Sequence, residues 1–407
     1  MSISNSVKQP LEGIRVLDLS HVLAGPYCTL LMALNGAEVI KIERPKVGEL
    51  ARRHLLVAKD GRKVAHTVAY VHRGKKGVTI DLRSEKGKEI FKKLVKVSDV
   101  VIENFTPGTM ERLGLSYRVL REINPALVYT SISGFGHDDI YPGPYVDRPA
   151  FNIVAQAMSG IMDITGELGG PPIPTGVALG DLVASVFALS GTVMALRMRD
   201  LTGVGQHVDI SMYDCLASFA QRPLLRCYLT GETPTRGDDK RENPLGAFKV
   251  KDGYVVMTTM GDEMWGRLCN LIGRPELRTD PRLNPDTARG RLYDSVLRPI
   301  LEEWAKDKTR AEVVNAFLGA DLPSAPVQNV AELMECPHLR ARKMVQEFDD
   351  PNEGHLMLTG NPLKMSGVEE QVPAPAPLLG QHTDEVLRDI LGVPDHELAR
   401  LHEDGVV

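Results

Sequence analysis

Apolar and polar positions along this chain alternate with two periods, one of strands and one of helices. Ile14–Leu19 (IRVLDL) is a short apolar run that predicts a buried parallel strand. Tyr27–Leu34 predicts a helix that stops at Asn35-Gly36, and Glu38–Ile42 (EVIKI) predicts the next strand. The pattern recurs as a helix over Gly87–Val97, a strand over Val100–Glu103, a helix over Thr109–Ile123 and a strand over Ala126–Ser131. Such alternation predicts an α/β fold, an open parallel sheet covered by helices.

From about Ser131 the chain grows rich in Gly and Pro, through SGFGHDDIYPGPYVDRP and then GELGGPPIPTGVALGD (Gly166–Asp181). An uncharged stretch follows, Leu182–Leu196. It falls short of the roughly 20 apolar residues that cross a bilayer and predicts a buried helix instead. After the turn residues Thr202–Gly205, His207–Met212 alternates like a strand. Residues 225–330 read as a smaller α+β domain: a hairpin over Gly246–Thr259 about Asp252-Gly253, then amphipathic helices near Met264–Ile272 and Leu292–Trp304. Past Leu322 come a strand (APVQNV) and a helix, then a helical tail in which Thr383 and Asp395 are candidate N-caps.

A length of 407 residues fits two domains, here a large one over 1–224 and the small one over 225–330, with 331–407 as a further segment. The net charge of −5 leaves no footprint for nucleic acid or an anionic membrane, so an anionic ligand needs a local basic patch. Met1–Gly13 is polar and lacks the apolar run of a signal peptide. Five scattered cysteines without a CxxC pair fit reduced thiols, and with them a cytoplasmic location.

Several motifs are missing. There is no GxGxxG, no GxxxxGK[ST], no HExxH and no GxSxG, so no nicotinamide, flavin, metal or serine-hydrolase site is expected. Three segments keep two readings each. Ser20–Pro26 (SHVLAGP) follows the first strand, where open α/β sheets bind ligands, or is a plain connection. His72-Arg73-Gly74-Lys75-Lys76 is a solvated charge run or a phosphate contact. Asp181, delivered by a Pro/Gly loop to the start of the apolar helix, is an N-cap or a nucleophile kept ionised by the helix terminus.

Six stretches in order resemble one family across nearly the whole chain: LEGIRVLDLSHVLAGPYCTLLMALNGAEVIKIERP, IENFTPGTMERLGL, PAFNIVAQAMSG, PPIPTGVALGD, TGVGQHVDISMYD and APLLGQHTDEVL. They are similar to the class III CoA-transferases, which include formyl-CoA:oxalate and carnitine CoA-transferases. The resemblance implies a Rossmann-like large domain made from both chain ends, with 331–407 completing it, a small α+β domain, and an interlocked homodimer. It puts the catalytic aspartate on Asp181, which carries CoA as an aspartyl thioester. It puts CoA contacts on Val22, Leu23, Ala24, Arg44, Ile80–Arg83, Asn104, Phe105, Thr106 and Arg112, with Arg148 as a further basic residue near CoA.

The formyl-CoA enzyme has a glutamine where Leu23 stands, a glutamate where Asn152 stands, and a glycine-rich loop that this small domain (ENPLGAFKVKDG) lacks. These departures weaken formate and oxalate as the substrates. A general likeness to the branch that uses succinyl-CoA, together with the missing glycine loop, implies succinyl-CoA as donor and malate or citramalate as acceptor. Carnitine-type transfer, a 2-methylacyl-CoA racemase and a partner subunit of a hetero-oligomer stay as alternatives. The racemase would want a histidine base where Phe151 stands.

Overall fold

A computed structural model of the chain describes residues 9–137, 140–237, 244–370 and 372–407. The polar N-terminal segment up to residue 8, and Glu242 and Asn243 of the small-domain run, lie outside the described residues. The chain forms two compact units: Met1–Ile161 with Thr175–Gln221 and Arg340–Val407, and Met162–Pro174 with Arg222–Leu339.

The first unit is built on a six-stranded sheet. Its strands are β1 (Arg15–Asp18), β2 (Glu38–Glu43), β5 (Lys76–Thr79), β6 (Val100–Glu103), β7 (Val128–Ser133) and β8 (His207–Ser211); β3 (Leu56–Val57) and β4 (Lys63–Val64) form a separate short ladder. Every pairing in the large sheet is parallel, in the order β5-β2-β1-β6-β7-β8. Counted along the sheet this is the 3-2-1-4-5-6 order of a doubly wound fold.

Successive residues of one strand feed opposite layers, as the pleat requires. Leu17 and Val101 enter a core shared with the helix Glu85–Lys96 and the C-terminal residues Val386, Leu387, Leu398, Leu401 and Val406. Val16, Val100 and Ile102 enter the opposite core, with Ala184, Ala188 and Ala195 of the long helix Leu179–Thr202. Both chain ends therefore close this unit. The long helix reaches the length and apolarity of a membrane span by composition alone. Here its small residues pack on β7 and β8, and Thr192 Oγ1 bonds Thr130 Oγ1 at 2.7 Å.

The second unit holds an antiparallel sheet of β9 (Leu245–Val250), β10 (Gly253–Thr258) and β11 (Ser324–Pro326). Phe248, Val255, Trp265, Leu268 and Phe317 fill its core. A hairpin of β12 (Val345–Asp350) and β13 (Gly354–Thr359) belongs to the first unit.

Several boundaries differ from the sequence expectation. The helix expected over Thr109–Ile123 is two, Thr109–Leu113 and Tyr117–Ile123, because Gly114 takes φ 69° and ends the first. Val330 opens a helix rather than continuing a strand, since Asn329 and Glu332 form a capping box. Thr383 and Asp395 are not caps. The cap positions are His382 and Pro394, and the Thr383 hydroxyl accepts Thr79 N at 3.0 Å, tying the tail to β5.

Candidate active site

The sheet order reverses at β1, so the loops leaving β1 and β6 border the crevice where such folds bind ligands. Both loops line one cleft of about 340 Å³, and Asp181 lines it with them.

The loop after β1 is held from below by buried charge. Asp18 ends the strand fully buried and accepts Ser20 N at 2.9 Å, Thr29 Oγ1 at 2.6 Å and Lys75 Nζ at 2.9 Å. Burial alone would protonate Asp18, but Lys41 and Lys75 outweigh it and hold the carboxyl well below its ordinary range. Lys41 Nζ also donates to the Ser20 carbonyl, and Lys75 to that of Pro26. The basic run His72–Lys76 thus fits neither of its two expected roles. His72, Arg73 and Lys75 are buried, His72 pairs with buried Glu49 at 3.0 Å, and Lys76 bridges Glu38 and Glu385. Lys75 neutralises Asp18 at the base of the loop, while His72, pushed down to about 4 by burial, hydrogen-bonds Glu49 as a neutral imidazole.

From above, the loop is clamped to its neighbours. Asn104 Oδ1 accepts His21 N at 2.7 Å, and Asn104 Nδ2 donates to His21 O at 2.9 Å. This reciprocal bracket occupies the amide expected to touch CoA. Ser185 Oγ lies 2.6 Å from Ala24 O and 2.7 Å from Asp181 O, fastening the loop to the helix of Asp181.

Asp181 is not the cap of that helix. The cap position is Ala178, without a side-chain bond, and Asp181 is the third helical residue. Capping comes from another segment: Asn152 Oδ1 accepts Gly180 N at 2.8 Å. Asn152 is held in turn by Gln156 Nε2 at 2.8 Å, and Gln156 Oε1 accepts Thr175 N at 2.9 Å. Gly180 lets the two segments approach closely: a Cβ there would meet Asn152 O at 3.0 Å. Among the described residues no donor bonds the Asp181 carboxylate. Burial pushes its pKa up to about 6, against the helix terminus that favours ionisation. At neutral pH it stays mostly ionised, poorly solvated and unpaired, which are the attributes of a poised carboxylate nucleophile.

The remaining expected residues fall into three neighbouring hollows. Val22, Leu23, Ala24, Asn104, Phe105, Thr106 and Arg148 share the cleft of Asp181, as does Phe151. Arg44 and Ile80–Arg83 line a second hollow of about 400 Å³. His21 and Phe105 line both, their ring centroids 5.0 Å apart. Arg112 is not brought to either. It lines a third hollow of about 410 Å³ and donates to Thr109 Oγ1 at 2.8 Å. An extended ligand can therefore lie with one end at Asp181 and the other between Arg44 and Arg83.

Glu49, Ser185 and Glu103 escaped the sequence reading, and Asn152 entered it only as a departure from the formyl-CoA enzyme. Glu103 accepts Phe105 N at 2.7 Å, and burial pushes it up to about 7, partly offset by His137. Only its place directly before Asn104 marks it in the sequence.

The chain matches the model for CoA-transferase family III over residues 11–383 and belongs to that family; it is a CoA-transferase. Among its relatives is a succinyl-CoA:mesaconate CoA-transferase of Haloarcula hispanica, 38% identical over 385 residues, covering 93% of this chain and 95% of the relative. A formyl-CoA:oxalate CoA-transferase of Rhodopseudomonas palustris is 35% identical over 422 residues, covering 98% and 97%. The crystal structure of a CAIB/BAIF family protein from Brucella suis superposes with a TM-score of 0.82 at 32% identity, covering 94% of this chain and 100% of that one. The resemblance read from the motifs holds along the chain, and these two curated relatives are both named for CoA transfer, not racemisation.

Proposed function

We propose that this enzyme moves CoA from succinyl-CoA to a four- or five-carbon dicarboxylate of the mesaconate, malate or citramalate type, through an aspartyl-CoA thioester on Asp181. The observation that carries the substrate class is Arg148. It lines the cleft of Asp181, its guanidinium lies 3.9 Å from the Tyr145 ring centroid, and no carboxylate pairs with it among the described residues. Dicarboxylic acyl groups carry one carboxylate into transfer and leave one ionised, and an arginine without an acid partner suits that second charge. The same cation repels the trimethylammonium of a carnitine-type acid. The name of the Haloarcula relative points the same way.

The chemistry needs only the chain's own carboxylate. Asp181 attacks the thioester carbonyl, the C–S bond breaks, and a mixed anhydride and CoA thiolate form. The thiolate attacks the aspartyl carbonyl and releases the donor acid as carboxylate, leaving CoA on Asp181. The acceptor carboxylate attacks that thioester and the thiolate then attacks the acceptor side of the new anhydride, restoring Asp181. Charge and atoms balance with no metal, flavin or nicotinamide. Arg44 and Arg83 hold the phosphates of CoA at the far end of the groove, and that binding helps carry the strained anhydride.

The test is a panel of acyl-CoA donors crossed with acceptor acids, on the wild type and Arg148→Met, read by mass spectrometry. Succinyl-CoA with a dicarboxylate should be the best pair, and Arg148→Met should raise KM for succinyl-CoA by about 10- to 100-fold, the value of a charge-assisted pair, while sparing butyryl-CoA. A uniform rise for every acyl-CoA would move Arg148 to the CoA moiety and refute the substrate class. We also assign a cytoplasmic homodimer. Phe187, Met194 and Leu201 on the long helix are exposed, an apolar face suited to a second copy. A monomer by light scattering with full activity would contradict the dimer.

A further inference from the structure

We propose that Glu49 is a positioning residue for transfer, holding Val22 in a left-handed backbone conformation so that the loop wall facing Asp181 keeps its shape. Val22 has φ 63°, a conformation that β-branched residues avoid. Something must over-determine it, and strained residues of this kind collect where a loop serves a site. Val22 lines the cleft of Asp181.

The restraint is visible. Glu49 is buried, and its Oε2 accepts Val22 N at 3.1 Å and Ala51 N at 3.0 Å, while Oε1 meets His72 Nε2 at 3.0 Å. His21 Nδ1 stands 3.8 Å from Oε2. Glu49 is itself oriented, because its own N–H donates to Glu43 Oε2 at 2.9 Å, and Glu43 is gripped by Arg52 at 2.7 and 2.6 Å. A buried carboxylate fixed by its backbone and by His72 thus presents one oxygen to the strained residue. The residues on either side are tied independently, His21 to Asn104 and Ala24 to Ser185. Val22 lies between those ties, with its own N–H held by Glu49.

Such a role predicts a specific pattern of rescue. Glu49→Gln keeps an oxygen for the Val22 and Ala51 amides, whereas Glu49→Leu keeps the volume and removes both acceptors. Glycine adopts positive φ without strain, so Val22→Gly removes the need for the restraint. We expect Glu49→Gln to hold kcat within about three-fold of wild type, and Glu49→Leu to lower kcat about 30-fold with KM for acyl-CoA nearly unchanged, as misplacement beside the reacting carboxylate implies. Adding Val22→Gly to Glu49→Leu should restore about ten-fold of that loss, the usual cost of a left-handed β-branched residue.

Equal losses for Gln and Leu would show that the charge of Glu49, and not its acceptor oxygen, is what matters, and would overturn the proposal. So would a double variant no better than Glu49→Leu. Should Glu49→Leu fail to fold, amide hydrogen exchange on wild type decides: a protected Val22 N–H is expected, and one exchanging like an open loop overturns the proposal. The kinetic arms rest on Asp181 being the transfer site. The exchange measurement does not, so the two readings fail separately.

Discussion

Replacing Asp181 by asparagine should make the protein more stable while it destroys transfer. The carboxyl has its pKa raised from 3.8 to about 6 by burial, with no bonded donor among the described residues to offset it. A group whose folded pKa lies above its unfolded value destabilises the fold at pH above both, because the folded state resists the charge that the unfolded state accepts. A shift of about two units corresponds to roughly 3 kcal/mol at most. Asp181 still borders an open cleft, and screening there reduces the expected gain to about 1–2 kcal/mol. Asparagine has nearly the same shape and no charge, so it removes the penalty without leaving a cavity. The assay is urea unfolding of wild type and Asp181→Asn at pH 7.5, 6 and 4. The gain should be complete at pH 7.5, shrink through pH 6 and vanish below about pH 4, where both states of the wild type bind the proton. An asparagine variant less stable than wild type at pH 7.5 would refute the reasoning, since it would mean that the carboxylate anchors the fold.

Three further outcomes follow from the same geometry. The proposed attack uses the ionised form of Asp181, so kcat/KM should fall on the acid side with an apparent pKa near 6; a flat profile from pH 7 to pH 5 would contradict this. Arg44→Ala and Arg83→Ala should each raise KM for acyl-CoA about ten-fold and flatten its salt dependence, whereas Arg112→Ala, in a separate hollow, should change it less than about three-fold. The reverse order would misplace the nucleotide. Gly180→Ala should cost about 1–3 kcal/mol in urea unfolding, because its Cβ would press on Asn152 and break the bond to Gly180 N; wild-type stability would show that the junction yields.

The parallel sheet was legible because its strands are buried on both faces and so read as continuous apolar runs, as in IRVLDL and EVIKI. β5 was harder to see. It begins at the last residue of a basic run, and Lys75 and Lys76 look like surface until the structure supplies Asp18, Glu38 and Glu385 as partners. Pairings of that kind join residues as far apart in the chain as Lys76 and Glu385, and no local pattern carries them. Asp181 drew notice as a carboxylate at a constrained junction, yet its surroundings could not settle nucleophile against cap. That choice depends on Asn152, 29 residues earlier in the chain, taking over the capping bond to Gly180. Glu49 was unreadable for a similar reason, since the strain at Val22 that gives it meaning is a backbone angle and leaves no composition signature. Arg112, which the resemblance puts among the CoA contacts, lines a different hollow from Asp181, a separation that no local pattern carries.

The central claim is that CoA is carried on Asp181, and the direct measurement is to trap it there. The enzyme is incubated with succinyl-CoA in the absence of an acceptor acid, digested, and the peptide containing Asp181 is weighed by mass spectrometry. The account predicts that peptide with CoA attached as a thioester, loss of the label on treatment with hydroxylamine, and no label in Asp181→Asn. An unlabelled Asp181 peptide in an enzyme that transfers CoA at full rate, or an Asp181→Asn variant that still transfers after deamidation is excluded, would contradict it.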